Sequence, residues 1–229
     1  MPFPAVFLCL LAAGSALAQH EGWTTTPVPQ EGGWKGASGF GWYRAYVKIP
    51  REWQGSRLLL VVDTISDVDE AFFNGAKVGA NGSMPPLFGK PSSNIRRPFV
   101  IEPDQIRFGK ANLIAWRVFN KEGKGGILKG PLHLTRINDA IDLTGQWLFR
   151  RGDVPSWAHW GKNPEAETAS YLRLAGPEHA GHRGVIPADK EWRRQLLSAV
   201  SQHFDGNKNP YARADDKGQP SSPEQALDL

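Results

Sequence analysis

The stretch Phe72-Phe73-Asn74-Gly75-Ala76-Lys77-Val78 decides the fold. Its Asn-Gly pair can adopt the positive φ values that a two-residue β-hairpin requires, and apolar residues flank the pair on both sides. The stretch therefore predicts a hairpin, which joins neighbouring antiparallel strands.

Short β-rich runs broken by turn residues lie on both sides of this hairpin. They are Trp42–Ile49, Arg57–Asp63, Val68–Phe73, Arg97–Ile101, Leu113–Phe119 and Ile127–Leu134. Residues at every second position of a strand share a face, so Tyr43, Ala45, Val47 and Ile49 form one predicted core face. Ile114, Trp116 and Val118 form another. The pattern is typical of a β-sandwich or barrel with one core.

A second segment, residues 138–205, is predicted after this β-rich region. It opens with a strand over 142–149 and continues irregularly through 153–184. Asp189 can cap a helix over 190–204, where Trp192, Leu196 and Val200 recur at helical spacing. Residues 206–229 are polar and read as a linker or disordered tail.

The first residues resemble a secretion signal. The apolar run Val6–Ala13 is too short to span a bilayer, and Ala16-Leu17-Ala18 follows as a small-x-small cleavage pattern, although no Lys or Arg precedes the run. We expect residues 1–18 to be a signal peptide and the protein to be secreted or periplasmic. The single cysteine, Cys9, lies in this signal, so no internal disulfide is expected. No transmembrane segment is expected after cleavage.

The net charge of +4 arises from 27 basic and 23 acidic residues scattered along the chain. Adjacent basic pairs such as Arg96-Arg97 and Arg193-Arg194 belong to no longer basic run. The sequence therefore indicates no nucleic-acid partner.

A series of residues in the β-rich region resembles a known family. In order, it consists of Trp23, Val28-Pro29, Gly41-Trp42-Tyr43-Arg44, Ile49-Pro50, Trp53, Gly55, Phe73-Asn74-Gly75, Val78-Gly79, Gly109, Asn112-Leu113-Ile114-Ala115, Val118, Gly125-Gly126-Ile127 and Gly130-Pro131. The series is similar to the N-terminal sugar-binding domain of glycoside hydrolase family 2, which also occurs in sialate O-acetylesterases. The resemblance implies an all-β, jelly-roll β-sandwich (galactose-binding-like) over residues 19–137, with the later residues as a C-terminal extension.

The resemblance also implies a carbohydrate ligand. The predicted ligand regions are the loop from Asn81 to Asn94, with Arg97 beyond it, the acidic patch Asp67–Glu70 and the turn Gly123–Gly126. An alternative is a ligand-free structural or docking domain. Residues 222–227 are similar to a segment that introduces a further domain in planctomycete-type exported proteins, which would make a downstream or partner enzyme domain the partner.

No catalytic residue is predicted. The barrel that carries the paired carboxylates of family 2 glycosidases is not recognised, and Gly152-Asp153-Val154 lacks the serine of a Gly-Asp-Ser block. Phe40 takes the last position of an otherwise matching nucleophile elbow that begins at Gly36. A hydrolase acting alone is therefore the third and least favoured class.

Three carboxylates, Asp67, Asp69 and Glu70, form a candidate calcium site, because hard cations bind several oxygen ligands. The alternative is that such carboxylates pair with Arg44, Lys77 or Arg117. It is favoured because the sequence contains no Asp-x-Asp-x-Asn-Gly loop. No other cofactor is expected.

Nine tryptophans are the most unusual feature of the composition. Trp42, Trp116 and Trp147 lie in predicted strands and are expected in the core. Trp157 and Trp160 lie in an irregular stretch, where indole rings can stack on the apolar faces of sugars. The alternative for these two is packing of the second segment onto the sandwich.

Overall fold

A computed structural model describes residues 22–30, 33–34, 37–89, 97–136, 139–175 and 186–187. Its strands are β1 (Thr24–Val28), β2 (Gly39–Lys48), β3 (Leu58–Ser66), β4 (Val68–Phe73), β5 (Ala76–Asn81), β6 (Arg97–Ile101), β7 (Ala111–Asn120), β8 (Gly126–Thr135), β9 (Asp139–Asp142), β10 (Gly145–Arg151) and β11 (Ile186–Pro187). One α-helix of the described part, α1, spans Pro164–Ala175. Short 3-10 helices span Arg51–Trp53, Pro103–Gln105 and Pro155–Ala158.

The strands form two antiparallel sheets that pack face to face. The six-stranded sheet has the order β1-β10-β2-β7-β4-β5, and the five-stranded sheet has the order β11-β9-β8-β3-β6. Every pairing between these strands is antiparallel. The predicted all-β sandwich is confirmed.

The predicted hairpin joins β4 to β5. Phe73 pairs with Ala76, which leaves Asn74 and Gly75 as the two turn residues. Their φ angles are 51° and 91°, as a turn with two positive φ values requires. The sequence prediction is confirmed at both residues.

The core lies between the sheets and contains both predicted faces. Tyr43, Ala45, Val47 and Ile49 are fully buried in it, together with the β7 residues Ile114, Trp116 and Val118. Trp147 of β10 also lies there, whereas Trp42 is equally buried but belongs to a separate cluster with Ala115 and Ala158. Strand β2 is therefore buried on both of its faces.

Residues 139–151 complete the two sheets. Strand β9 pairs with β8, and β10 lies between β1 and β2 in the six-stranded sheet. The described part of the predicted second segment is thus continuous with the sandwich. Strand β1 had no sequence prediction, since its Thr-Thr-Thr-Pro-Val run is polar and contains a proline. It is an edge strand, where a proline is tolerated.

Helix α1 lies in the stretch that the sequence predicts to be irregular, and that prediction is wrong. The Asn163 side chain accepts a hydrogen bond from the N–H of Ala166 at 3.1 Å, and Pro164 begins the helix. The buried residues of the helix are Glu167, Ser170, Tyr171 and Ala175. Because two of them are polar, the helical spacing of this stripe is hidden from a search for apolar periodicity.

The predicted signal peptide (1–18), the predicted helix over 190–204 and the predicted tail over 206–229 lie outside the described residues. Within the described part of the chain, no helix has the length and apolar character needed to cross a membrane.

Candidate functional site

Residues 153–175 form a third layer on the outer face of the six-stranded sheet. The 3-10 helix Pro155–Ala158 brings Ala158 against Trp42 and Ala115, with Phe72 and Trp157 at the edge of this cluster. This layer explains why β2 carries large apolar side chains on both faces.

A buried ion pair joins helix α1 to the sheet. Arg44 Nη2 donates to Glu167 Oε1 at 2.7 Å, and the two side chains are only 5% and 2% exposed. The same nitrogen donates to the carbonyl oxygen of His159 at 3.1 Å. The second oxygen of Glu167 accepts from the backbone N–H of Gly161 at 2.8 Å. The pair therefore fixes both the helix and the segment before it on β2.

A cleft of about 570 Å³ opens where this layer meets β2, β10 and the residues just before β1. It is lined by Gly22, Trp23, Arg44, Arg150, Ser156, Trp157, His159, Trp160, Gly161 and Glu167. Its volume falls within the range of small-molecule sites, which is roughly 300–1,000 Å³.

Two of the three indole rings in the cleft meet edge to face. The Trp23 and Trp157 centroids are 5.3 Å apart with an interplanar angle of 63°. Trp157 also meets the buried Trp42 at 6.5 Å and 84°. The Arg44 guanidinium lies 5.4 Å from the Trp23 ring centre, and that of Arg150 lies 4.6 Å from the Trp157 ring centre. These contacts hold both indoles in fixed orientations.

The third indole, Trp160, is held by the Asn-Gly hairpin. Its Nε1 donates to Asn74 Oδ1 at 3.0 Å, and the same oxygen accepts from the N–H of Leu113 at 2.9 Å. Its ring lies 5.3 Å from that of Tyr46. The Asn74-Gly75 turn therefore also positions one side of the cleft.

The polar groups of the cleft differ in accessibility. Ser156 and His159 are exposed and Arg150 is half-buried, whereas Arg44 and Glu167 lie at the buried base. Beneath them, burial raises the pKa of Tyr46; Arg44 opposes this effect and Glu167 adds to it, so the phenol stays neutral at pH 7. The cleft can thus offer aromatic surface together with hydroxyl, imidazole and guanidinium groups that form hydrogen bonds.

The structure brings Trp157 and Trp160, two of the predicted ligand residues, into the same cleft. From the sequence, Trp23 is singled out only as a residue that matches the family. Arg44 is a match and also a possible partner of the carboxylates of the acidic patch, but it pairs with Glu167 instead. Helix α1, which supplies Glu167, was not predicted, so neither the ion pair nor the cleft could be foreseen. The Asn163-Pro164 start and the acidic residues after it were the signal that could have revealed this helix.

The three predicted calcium ligands point to different partners. Asp69 is 1% exposed and accepts from Trp116 Nε1 at 2.9 Å in the interior. Asp67 accepts from the N–H of Lys121 at 2.8 Å. Glu70 pairs with Arg117 at 2.8 Å and with Lys77.

Burial would raise the pKa of Glu70, but the hydrogen bonds from Lys77 and Arg117 outweigh it, and the pKa lies below its usual value. Glu70 therefore follows the alternative of paired carboxylates. In the parts of the chain that the structure describes, no three His, Cys, Asp or Glu side chains group closely enough to hold a metal ion.

The remaining predicted ligand residues lie elsewhere. Asn81 is opposite Asp69 in the β4–β5 ladder. Arg97 pairs through its backbone with Val62, in the five-stranded sheet and not in the sheet that carries the cleft. Asn94 lies outside the described residues.

The three predicted ligand regions do approach one another, away from the cleft. Lys121 donates its backbone N–H to Asp67 of the acidic patch, and its ammonium lies 5.6 Å from the ring centre of Phe88 in the loop. In the nearby glycine turn, a Cβ on Gly126 would meet the Tyr43 hydroxyl and Trp34. The space beside Gly126 is therefore filled by core side chains, whereas a Cβ on Gly123 would meet nothing within 4 Å.

Comparisons with known proteins give partial matches, each over about half of this chain. No family model matches the chain. The chain is 27% identical over 145 residues to a protein of Formosa agariphila named beta-glucuronidase. This match covers 51% of this chain and 13% of the relative. A solved glycosyl hydrolase family 2 member from Bacteroides cellulosilyticus is 22% identical, covers 50% of this chain and 13% of that chain, and gives a TM-score of 0.34.

The chain resembles glycoside hydrolase family 2 proteins. The structure of the Ruminococcus gnavus beta-glucuronidase is 17% identical, covers 56% of this chain and 24% of that chain, and also gives a TM-score of 0.34. The resemblance predicted from the sequence is confirmed for about half of the chain. The chain spans about 13% of the length of the curated relative that it matches.

Proposed function

We propose that this protein is an exported, non-catalytic carbohydrate-binding module and that its ligand occupies the cleft between β2, β10 and the outer layer. The observation that supports this most is the grouping of Trp23, Trp157 and Trp160 around exposed hydrogen-bonding side chains.

The chemistry of the cleft suits a sugar. The C–H groups on one face of a pyranose ring pack against indole, while its hydroxyl groups require donors and acceptors. Ser156 and His159 are exposed at the cleft, and Arg150 adds a guanidinium beside Trp157. A ligand with one apolar face and several hydroxyl groups matches both kinds of surface.

An accessory role fits the comparisons. The beta-glucuronidase relative matches this chain over only 13% of its own length. We therefore infer that the module acts beside a glycoside hydrolase or esterase domain, whose activity it would direct to a polysaccharide. Turnover of chromogenic glycosides or acetyl esters by the purified chain would contradict the non-catalytic part of this proposal.

Affinity electrophoresis on a panel of neutral and acidic polysaccharides tests the binding. At least one polysaccharide is expected to retard the protein, and the variant Trp157→Ala is expected to migrate without retardation. Phe108→Ala is the matched control, because Phe108 is also a half-buried aromatic residue but lies neither at the cleft nor in a predicted ligand region. Equal retardation of Trp157→Ala and the parent would refute the proposal. Unretarded migration on every polysaccharide, combined with no binding of any mono- or oligosaccharide, would refute it as well.

The contacts of Trp160 favour a second candidate, a structural domain without a ligand. Its indole N–H is engaged by Asn74, and its ring packs on Tyr46, so the residue also attaches the outer layer to the sheet. If the domain is purely structural, Trp160→Phe should lower the free energy of unfolding, and neither the parent nor the variant should be retarded by any polysaccharide. A loss of retardation in a variant that remains folded would exclude this candidate.

A further inference from the structure

We propose that the cleft takes no more than two sugar units and does not bind along an extended polysaccharide. This inference rests on the proposed function and concerns the size of the ligand. The proposed ligand is a mono- or disaccharide, which is either a free sugar or the end of a longer polysaccharide chain.

The orientation of the indoles is the first argument. A surface that binds several consecutive sugars needs aromatic rings in one plane, so that each ring faces a sugar. Here the rings of Trp23 and Trp157 meet at 63°. Rings set at such angles form a corner, and a corner holds one sugar ring against one face with another indole at its edge.

The faces that are already covered are the second argument. Arg44 lies over Trp23 at 5.4 Å, Arg150 over Trp157 at 4.6 Å, and the Arg107 guanidinium lies 5.2 Å from the ring centre of Trp160. Each indole of the cleft therefore has at most one face left for a ligand. Since the rings of Trp23 and Trp157 are also not coplanar, the faces left on these two indoles cannot follow a long chain.

The volume and the rigidity of the cleft are the third argument. About 570 Å³ is the space of a typical site for one small molecule. The base cannot deepen easily, because Arg44 and Glu167 are buried and bonded to each other, to His159 and to Gly161. Additional sugar units would extend beyond these contacts into solvent.

Isothermal titration with oligosaccharides of increasing length tests the inference. The probes are cello-, laminari-, xylo- and galacturonic acid oligosaccharides of one to six units. For the series that binds, we expect the disaccharide to have a lower dissociation constant than the monosaccharide. From two to six sugar units, the dissociation constant should change by less than about twofold. A fall of more than tenfold between two and six units, or about 1.4 kcal/mol, would overturn the inference and leave carbohydrate binding intact.

Failure of the two proposals is distinguishable. If no oligosaccharide and no polysaccharide binds, the proposed function is refuted and the inference with it. Trp157→Ala should weaken binding of all lengths by the same factor, at least tenfold. Trp157→Phe keeps an aromatic face and should restore part of the affinity, which also controls for misfolding. A loss that grows with chain length would contradict a site for two units.

A second measurement separates a free sugar from a chain end. The protein is titrated with the parent polysaccharide before and after partial acid fragmentation at equal mass. Recognition of chain ends predicts about one bound protein per chain and stronger binding after fragmentation. Binding of the disaccharide with no binding to either polymer identifies a free sugar. Several proteins bound along each unfragmented chain would refute the inference.

Discussion

Removal of the Glu167 carboxylate is expected to destabilise the protein more than any surface change of equal size. Arg44 and Glu167 form a 2.7 Å ion pair at 5% and 2% exposure. Glu167→Gln would leave the Arg44 charge buried without its counter-ion, and breaking a buried pair in this way typically lowers the free energy of unfolding by about 3–5 kcal/mol. For a domain of this size, the expected fall in Tm is roughly 6–20 °C.

The magnitude can be graded within the same site. Glu167 Oε2 also accepts the N–H of Gly161 at 2.8 Å, a bond that glutamine can keep through its amide oxygen and that alanine cannot. Glu167→Ala is therefore expected to lose about 1 kcal/mol more than Glu167→Gln. The double variant R44M/E167L replaces both charges by apolar side chains, and it should recover most of the loss.

Urea unfolding followed by tryptophan fluorescence measures these differences, because Trp42, Trp157 and Trp160 report on the outer layer. Arg57→Met is the control, since Arg57 and Glu102 form a pair at 37% and 44% exposure and such pairs contribute about 0–1 kcal/mol. If Glu167→Gln loses no more stability than Arg57→Met, the ion pair does not anchor the layer and the reasoning fails.

Three further perturbations test other parts of the fold. In urea unfolding, Asn74→Ala should lower the free energy of unfolding by about 1–2 kcal/mol more than Asn74→Gly. Both variants remove the side-chain amide, but only alanine opposes a φ of 51°. Equal losses would contradict this. Gly41→Ala should lower the unfolding free energy by roughly 1–3 kcal/mol, because its Cβ would lie 2.8 Å from Trp34, and an unchanged Tm would contradict the close packing. Burial lowers the pKa of His133, against an opposing effect of Asp142, so the unfolded chain takes up the proton first as the pH falls through 6.5. The contribution of His133 to the free energy of unfolding should therefore be complete above this pH and decline below it by at most ~1.4 kcal/mol per pH unit. Chemical denaturation between about pH 7.5 and 5 measures this slope, and His133→Gln should reduce it.

The sheet elements with strong local signals were predictable. The Asn74-Gly75 turn requires positive φ values that few other dipeptides adopt, and β4 and β6 begin and end where the sequence predicts. Residues 79–93 are rich in Gly, Pro, Ser and Asn and predict a surface loop, but this loop starts later because β5 continues to Asn81. Glycine and alanine give no strand signal of their own, and pairing with β4 determines their conformation.

The site was predictable only in part. Trp157 and Trp160 are candidates from the sequence because indole rings in an irregular stretch can stack on sugars, and the alternative is that they pack the second segment onto the sandwich. Helix α1 was missed because its buried stripe includes Glu167 and Ser170, whose burial makes sense only once Arg44 and the sheet are beside them. A carboxylate 123 positions from its arginine carries no local sign of that contact.

The sequence by itself determined the antiparallel hairpin, the alternation that buries Tyr43, Ala45 and Val47, and the resemblance to a sugar-binding domain, because these depend on local conformation and on residue order. The tertiary structure alone decided that β10 lies between β1 and β2, that residues 153–175 cover the outer face of β2, and that three indoles enclose a cleft. These outcomes depend on contacts between residues far apart in the chain. Such contacts form only when burying the second face of β2 outweighs the entropy lost in ordering the covering segment.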